Sequence, residues 1–177
     1  MYRRIAKFYK VSFNQFKKDF INTLGIEFLD GVEFINDVIL EIYNDIKLPK
    51  RGTAESAGYD FFSPVKLHLE KNEVITLPTG IRVKIDPDWV LTCYPRSGQG
   101  FKNGLFLLNT VGVIDADYFY SDNEGHIMLK IRNRDIKDFD MEKGQGIMQG
   151  IFLPYGITID DDATGERNGG FGSTDKK

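Results

Sequence analysis

The clearest periodicity lies near the start of the chain. Phe13, Phe16, Phe20 and Leu24 recur at intervals of three and four residues, with Lys17, Lys18 and Asp19 between them. This is the spacing of a helix that buries one face. Ser12 followed by Gln15 has the separation of a capping box, in which two side chains satisfy each other's backbone amides. Gly25 marks the stop. A weaker stripe of Phe34, Ile35, Val38, Ile39 and Ile42 predicts a second helix over roughly Val32 to Tyr43. Ahead of both, Ile5 to Val11 reads as a strand. From Ile46 onward the texture changes. Val74 to Leu77, Ile81 to Ile85, Val90 to Tyr94, Leu105 to Leu108, Ile127 to Ile131 and Ile147 to Leu153 are short apolar runs, broken by turn chemistry such as Asp86-Pro87-Asp88. Short strands without intervening helices predict a mainly β fold, a sandwich, barrel or jelly roll.

The chain divides near Leu48-Pro49, which gives an N-terminal extension over 1–45, a β core over 46–159 and a tail over 160–177. The tail is polar and glycine-rich and buries too little surface to hold itself in place.

Composition narrows the class of protein. With 177 residues, 41% hydrophobic and 28% charged, the chain suits one soluble domain whose core needs no disulfide or structural metal. A net charge of -3 and a pI near 5.4 argue against a protein that coats nucleic acid. The single cysteine, Cys93, follows Trp89-Val90-Leu91 and reads as a small core residue rather than a nucleophile. With no disulfide to form, it points to a reducing compartment. No apolar run fits a signal peptide or a membrane span, so a cytoplasmic protein without membrane contact is expected. The two histidines, His68 and His126, have no metal-ligand spacing, and there is no cysteine pair. A hard ion such as Mg2+, held mostly by phosphates and water, is compatible.

Four segments carry candidate chemistry. Pro95-Arg96-Ser97-Gly98-Gln99-Gly100 offers a guanidinium fork, a hydroxyl and glycines that let backbone amides approach an anion; otherwise it is a polar turn with a surface Arg. Gly112-Val113-Ile114-Asp115-Ala116-Asp117-Tyr118 places two acids at alternate positions, as if on one strand face. One of them in a pocket could accept a proton from an attacking water; otherwise they are turn acids. Asn109, just upstream, has an amide that donates and accepts at once, the equipment to read a base edge, and Tyr118 offers a flat wall for a ring. Ala57-Gly58-Tyr59-Asp60 sets an acid after a tight turn. Arg167-Asn168-Gly169-Gly170-Phe171-Gly172-Ser173 combines a cation, an aromatic ring and a hydroxyl in a tail able to close over a ligand.

Taken in order, these segments resemble the five motifs of the trimeric dUTPase family: Ala57 to Asp60, Pro95 to Gly98, Asn109 through Tyr118, Gly144 to Phe152 around Gln149, and Arg167 to Thr174. The resemblance runs from about Ile46 to the C-terminus. It implies a jelly-roll-like β-clip barrel with a short helical extension. It also implies a homotrimer exchanging C-terminal arms, and hydrolysis of dUTP to dUMP and pyrophosphate with Mg2+. That activity limits uracil in DNA and supplies dUMP for thymidylate synthesis. By the same resemblance, Asp115 activates the water that attacks the α-phosphorus. Asn109 reads uracil with backbone groups near Met128, Gly112 and Ile114 belong to the substrate-binding set, and Tyr118 excludes a 2′-hydroxyl. Arg96, Ser97, Gly98 and Gln149 hold phosphates, Asp60 reaches the metal through water, and Arg167, Phe171, Gly172, Ser173 and Thr174 form the closing arm.

The chain departs from that pattern in three places. Gln99 stands where a small or apolar residue is usual, and Gly146 where an Arg is common. Phe119 to Glu124 lengthen the turn after Tyr118. The extension over 1–45 has two readings, packing against the β core or a partner surface, and the 119–124 turn is a second candidate partner surface. Rival functions are a dCTP deaminase on the same fold and a nucleotide-sensing interaction protein. The Asp115 motif favours the diphosphatase over the deaminase.

Overall fold

The structure is a computed structural model that describes residues 3–25, 34–165, 167 and 169. The N-terminal periodicity is realised as α1, Phe13–Leu24, with Phe16 and Phe20 on its buried face. Ser12 caps it, its Oγ accepting from the Gln15 amide at 3.1 Å, and the Gly25 amide closes the end on the Ile21 carbonyl. The capping box, however, is only half made. Gln15 Nε2 turns to Asp19 Oδ2 at 2.8 Å, and the Ser12 amide donates instead to Glu124 Oε2 at 2.7 Å. A carboxylate 112 residues away thus completes the cap. The second helix, α2, spans Ile35–Asp45 and runs beyond Tyr43; Val32 lies outside the described residues.

Before α1 runs β1, Ala6–Lys10, which pairs antiparallel with β6, Ile81–Ile85. The pairing sends Phe8 into an aromatic cluster with Tyr59, Phe61 and Phe152, ring centroids 5.4, 5.7 and 5.8 Å away. Such tilted and edge-on pairs add to the area they bury. Phe16, Phe20 and Ile39 are fully buried in the same core cluster as Phe61, Leu67, Leu77 and Leu91. The extension therefore packs against the β core and shares its interior.

The rest is mainly β, with a jelly-roll-like arrangement of small antiparallel sheets. The largest has five strands, ordered β2-β3-β12-β7-β9: Lys50–Arg51, Tyr59–Phe62, Gly146–Pro154, Trp89–Pro95 and Gly112–Ile114. A second joins β5, Val74–Pro78, to β10, Met128–Asn133, and β8, Leu105–Leu107. A third pairs β4, Leu67–Leu69, with β11, Phe139–Met141. Among the described residues no helix is long and apolar enough to cross a membrane.

Two local expectations change. Pro95 to Gly100 is not an open glycine loop, because α3, Ser97–Asn103, begins directly after Arg96. Its residues close backbone bonds on the Arg96 carbonyl, from the Gln99 amide at 2.9 Å and the Gly100 amide at 3.0 Å. Asp115 and Asp117 do not share a strand face either. β9 ends at Ile114, and a 3-10 helix, Ala116–Tyr120, starts with Asp115 at its N-cap.

Candidate active site

The five-stranded sheet presents two chemically different faces. Residues directly opposite in an antiparallel ladder point to the same side, and neighbours along a strand to opposite sides. The pairs Met148↔Phe61, Gly150↔Cys93, Cys93↔Gly112 and Leu91↔Ile114 lie on the core side. The pairs Gln149↔Asp60, Gln149↔Tyr94 and Thr92↔Val113 lie on the other. Burial follows the alternation: Leu91, Cys93 and Met148 are buried, whereas Val113 is 58% exposed.

At the core-side edge lies a pocket of about 240 Å³, lined by Asn109, Gly112, Ile114, Tyr118, Met128 and Arg167 over a floor that includes Cys93 and Met148. Burial pushes the Cys93 thiol up to about 12, so it remains a neutral apolar surface. Asn109 is held at the tip of a tight turn, with the Thr110 amide bonded to Leu107 and the Val111 amide to the Asn109 carbonyl. Tyr118 is buried, and its hydroxyl donates to the His126 carbonyl at 2.8 Å while accepting from Asn123 Nδ2 at 2.8 Å. Desolvation raises its pKa, against the pull of the Asn123 hydrogen bond and the nearby Arg167 charge. The ring is thereby pinned at its far end, with the hydroxyl fully engaged.

Arg167 closes one side of the pocket. Its guanidinium lies 5.0 Å from the centre of the Tyr118 ring, and Nη1 pairs with Asp115 Oδ2 at 2.8 Å and Asp117 Oδ1 at 3.4 Å. The two acids thus share a cation rather than a strand face. Asp115 itself is half exposed at the pocket mouth.

On the opposite face sits a second cluster. Asp60 Oδ1 pairs with Arg96 Nε at 3.0 Å, beside Gln149 on the neighbouring strand, and Ser97 and Gly98 follow as exposed residues at the start of α3. Two of the three departures from the family pattern meet here. Gln99 Nε2 donates to the Gly146 carbonyl at 3.1 Å, and the Arg96 guanidinium lies over Gly146 so closely that a Cβ there would overlap it. Gly146 is the clearance that Arg96 needs to reach Asp60.

Of the residues expected at the site, Asn109, Gly112, Ile114, Tyr118, Met128 and Arg167 come together at the pocket with Asp115 at its mouth, while Asp60, Arg96 and Gln149 gather on the other face with Ser97 and Gly98 alongside. Phe171, Gly172, Ser173 and Thr174 lie outside the described residues. Cys93, Met148 and Lys130 also line the pocket and were missed as site residues. The signal that would have found the first two is the alternation of β7 and β12 against Gly112.

The chain is similar to known proteins over most of its length. The dUTPase family model matches residues 44–175. Deoxyuridine 5′-triphosphate nucleotidohydrolases of Lactococcus lactis and Haemophilus ducreyi are 41% and 38% identical to this chain, over 73% and 77% of it and 88% and 91% of their own lengths. The crystal structure of the dUTPase from Streptococcus mutans superposes with a TM-score of 0.59 at 37% identity, covering 64% of this chain and 89% of that one.

Proposed function

This chain belongs to the dUTPase family, and we propose that it hydrolyses dUTP to dUMP and pyrophosphate through a water activated by Asp115. The observation that carries the reading is the pocket that joins Asn109, Tyr118 and Met128, with the Asp115 carboxylate at its mouth. Uracil presents an edge of alternating acceptors and donor. The Asn109 amide and backbone groups near Met128 pair with it, and a base lacking that pattern leaves buried groups unpaired. The deoxyribose packs on the Tyr118 ring, whose fixed position leaves no room for a 2′-hydroxyl.

Asp115 accepts the proton of the attacking water as its oxygen bonds to the α-phosphorus. The bond from that phosphorus to the bridging oxygen breaks, and pyrophosphate leaves with the electron pair. Arg96, Ser97, Gly98 and Gln149 hold the phosphates. For Mg2+, the donor set fits an ion that keeps most of its water and takes phosphate oxygens. Asp60 offers a hard carboxylate on the phosphate face, and among the described residues no group of three or more acidic, His or Cys side chains could hold a metal alone. Bound there, Mg2+ would supply charge neutralisation to the triphosphate. The reaction consumes dUTP that DNA synthesis would otherwise take up, and its product dUMP serves thymidylate formation.

The two clusters lie on opposite faces of one sheet, so one copy of the chain does not close both around one nucleotide. This supports a closed trimer in which a neighbour brings its phosphate cluster to the pocket. Exposed Tyr155, Ile157 and Ile159, beyond β12, are apolar side chains that such a neighbour would cover. The arm residues from Arg167 onward then close the site, in the same chain or in exchange.

Purified protein with Mg2+ should release pyrophosphate from dUTP much faster than from dCTP, dTTP or UTP, and its mass in solution should be that of three chains. Ammonia release from dCTP, or no turnover, would remove the reading. Gly146→Ala tests the phosphate face. The added methyl displaces the Arg96 guanidinium, and KM for dUTP should rise by about tenfold, the value of a lost charge-assisted hydrogen bond, with the fold intact. An unchanged KM would take Arg96 out of phosphate binding.

A further inference from the structure

The lengthened turn after Tyr118 and the N-terminal extension meet directly. Glu124, in the turn, accepts from the Ser12 amide at 2.7 Å and the Ser12 hydroxyl at 2.6 Å, tying the turn to the start of α1. One residue before it, Asn123 donates to the Tyr118 hydroxyl at 2.8 Å. Glu124 and Gly125 both have positive φ, 58° and 68°, and a Cβ on Gly125 would come within 2.6 Å of the Tyr118 carbonyl oxygen. Only glycine lets the turn fold back this tightly.

A second tie is buried. His126 is fully buried, and its Nδ1 lies 2.6 Å from Asp19 Oδ2 on α1. Its Nε2 accepts from the Gly80 amide at 2.7 Å, which leaves the ring proton on Nδ1 to donate to Asp19. Burial opposes the Asp19 charge, yet hydrogen bonds from His126 and Gln15 hold its carboxyl below the usual range. The carbonyl of this same His126 anchors the Tyr118 hydroxyl, and the chain runs on from it into Ile127 and Met128, two walls of the pocket.

We propose that α1 is a positioning element for nucleotide selection, with Asp19 acting through His126 to fix the Tyr118 ring and the Met128 wall. The inference rests on Tyr118 being the sugar wall. Asp19 touches no substrate; removing its carboxylate leaves the His126 Nδ1 proton without an acceptor in the core, and the imidazole, its carbonyl and the Tyr118 anchor shift together. A small displacement of a packed ring is enough to admit a 2′-hydroxyl. The extension therefore acts on selectivity more than on the chemical step.

The test compares full-length wild type, Asp19→Ala, Asp19→Asn and Glu124→Ala in steady-state hydrolysis of dUTP and UTP. Asp19→Ala should lower the dUTP-over-UTP ratio of kcat/KM by about tenfold, the scale of a lost packing or hydrogen-bond discrimination, mainly through a lower KM for UTP. Asp19→Asn, whose amide oxygen still accepts from His126, should restore the ratio to within about twofold. An unchanged ratio in a folded Asp19→Ala, or an equal loss of kcat on both nucleotides, would overturn the inference. If Asp19→Ala does not fold, Glu124→Ala, which cuts the exposed clasp to Ser12, decides. A fall of the ratio supports the inference and an unchanged ratio overturns it. Wild type that fails to separate dUTP from UTP would instead remove the reading of Tyr118, and the inference with it.

Discussion

Asp115→Asn should bind dUTP about as well as the native chain and lose roughly 10²–10⁴-fold in turnover, the span expected for a general base. The substitution is nearly isosteric. The asparagine oxygen can still accept from Arg167, now 2.8 Å from Asp115 Oδ2, so the pocket mouth keeps its shape. What is lost is the capacity to take a proton. Affinity for a non-hydrolysable dUTP analogue and the single-turnover rate of dUTP cleavage separate the two effects. A rate within tenfold of native would show that the proton goes elsewhere and that Asp115 serves only to orient. Because the water and the phosphorus are held by different residues, most of the remaining acceleration should persist in the variant as positioning and charge stabilisation.

Removing residues from Arg167 onward should lower kcat/KM for dUTP by roughly 10²-fold, the usual consequence of a misplaced reaction centre, while the thermal midpoint stays close to native. Among the described residues the buried core has no member in that segment: its last residues in chain order are Ile147 and Met148. Arg167, by contrast, is one wall of the pocket and lies over the Tyr118 ring. Without it the pocket loses a wall, and Asp115 and Asp117 lose the cation that separates their charges. Arg167→Ala in the full chain apportions the loss between that side chain and the rest of the arm. Native activity in the truncated protein would show that the arm does not close the site.

Much of this arrangement is legible in the sequence, and the failures have identifiable causes. α1 is read to its limits because Ser12, four spaced apolar residues and Gly25 all act locally. β6 is read from Ile81 to Ile85 for the same reason. Several short strands are not read, although β8, also three residues, is read from its unbroken apolar run. β2 has two residues, and β4 and β11 three each, too few for any period to emerge. The completion of the α1 cap by Glu124 and the pairing of Asp19 with His126 join positions more than a hundred residues apart, which no local pattern encodes. α3 escaped notice because Gly98 and Gly100 are poor helix formers, whereas the Arg96 carbonyl and the neighbouring β8 hold it in place. At the site, the residue types in each motif were readable. Their division between two faces of one sheet was not, because it depends on the register of β12.

That register carries a further meaning. The ladder between β12 and β3 shifts at Gly146 to Met148, so an irregularity decides which of Ile147, Met148 and Gln149 looks inward. A slip of one residue would exchange the two faces along the strand, bringing an amide to the nucleobase and a thioether to the phosphates. The bulge thus works as a reading frame. β12 spells two messages in alternate letters, one for the pocket and one for the cluster of Asp60 and Arg96 on the other face, and a single frameshift garbles both. Drift in this strand is therefore confined to exchanges that keep each letter in place.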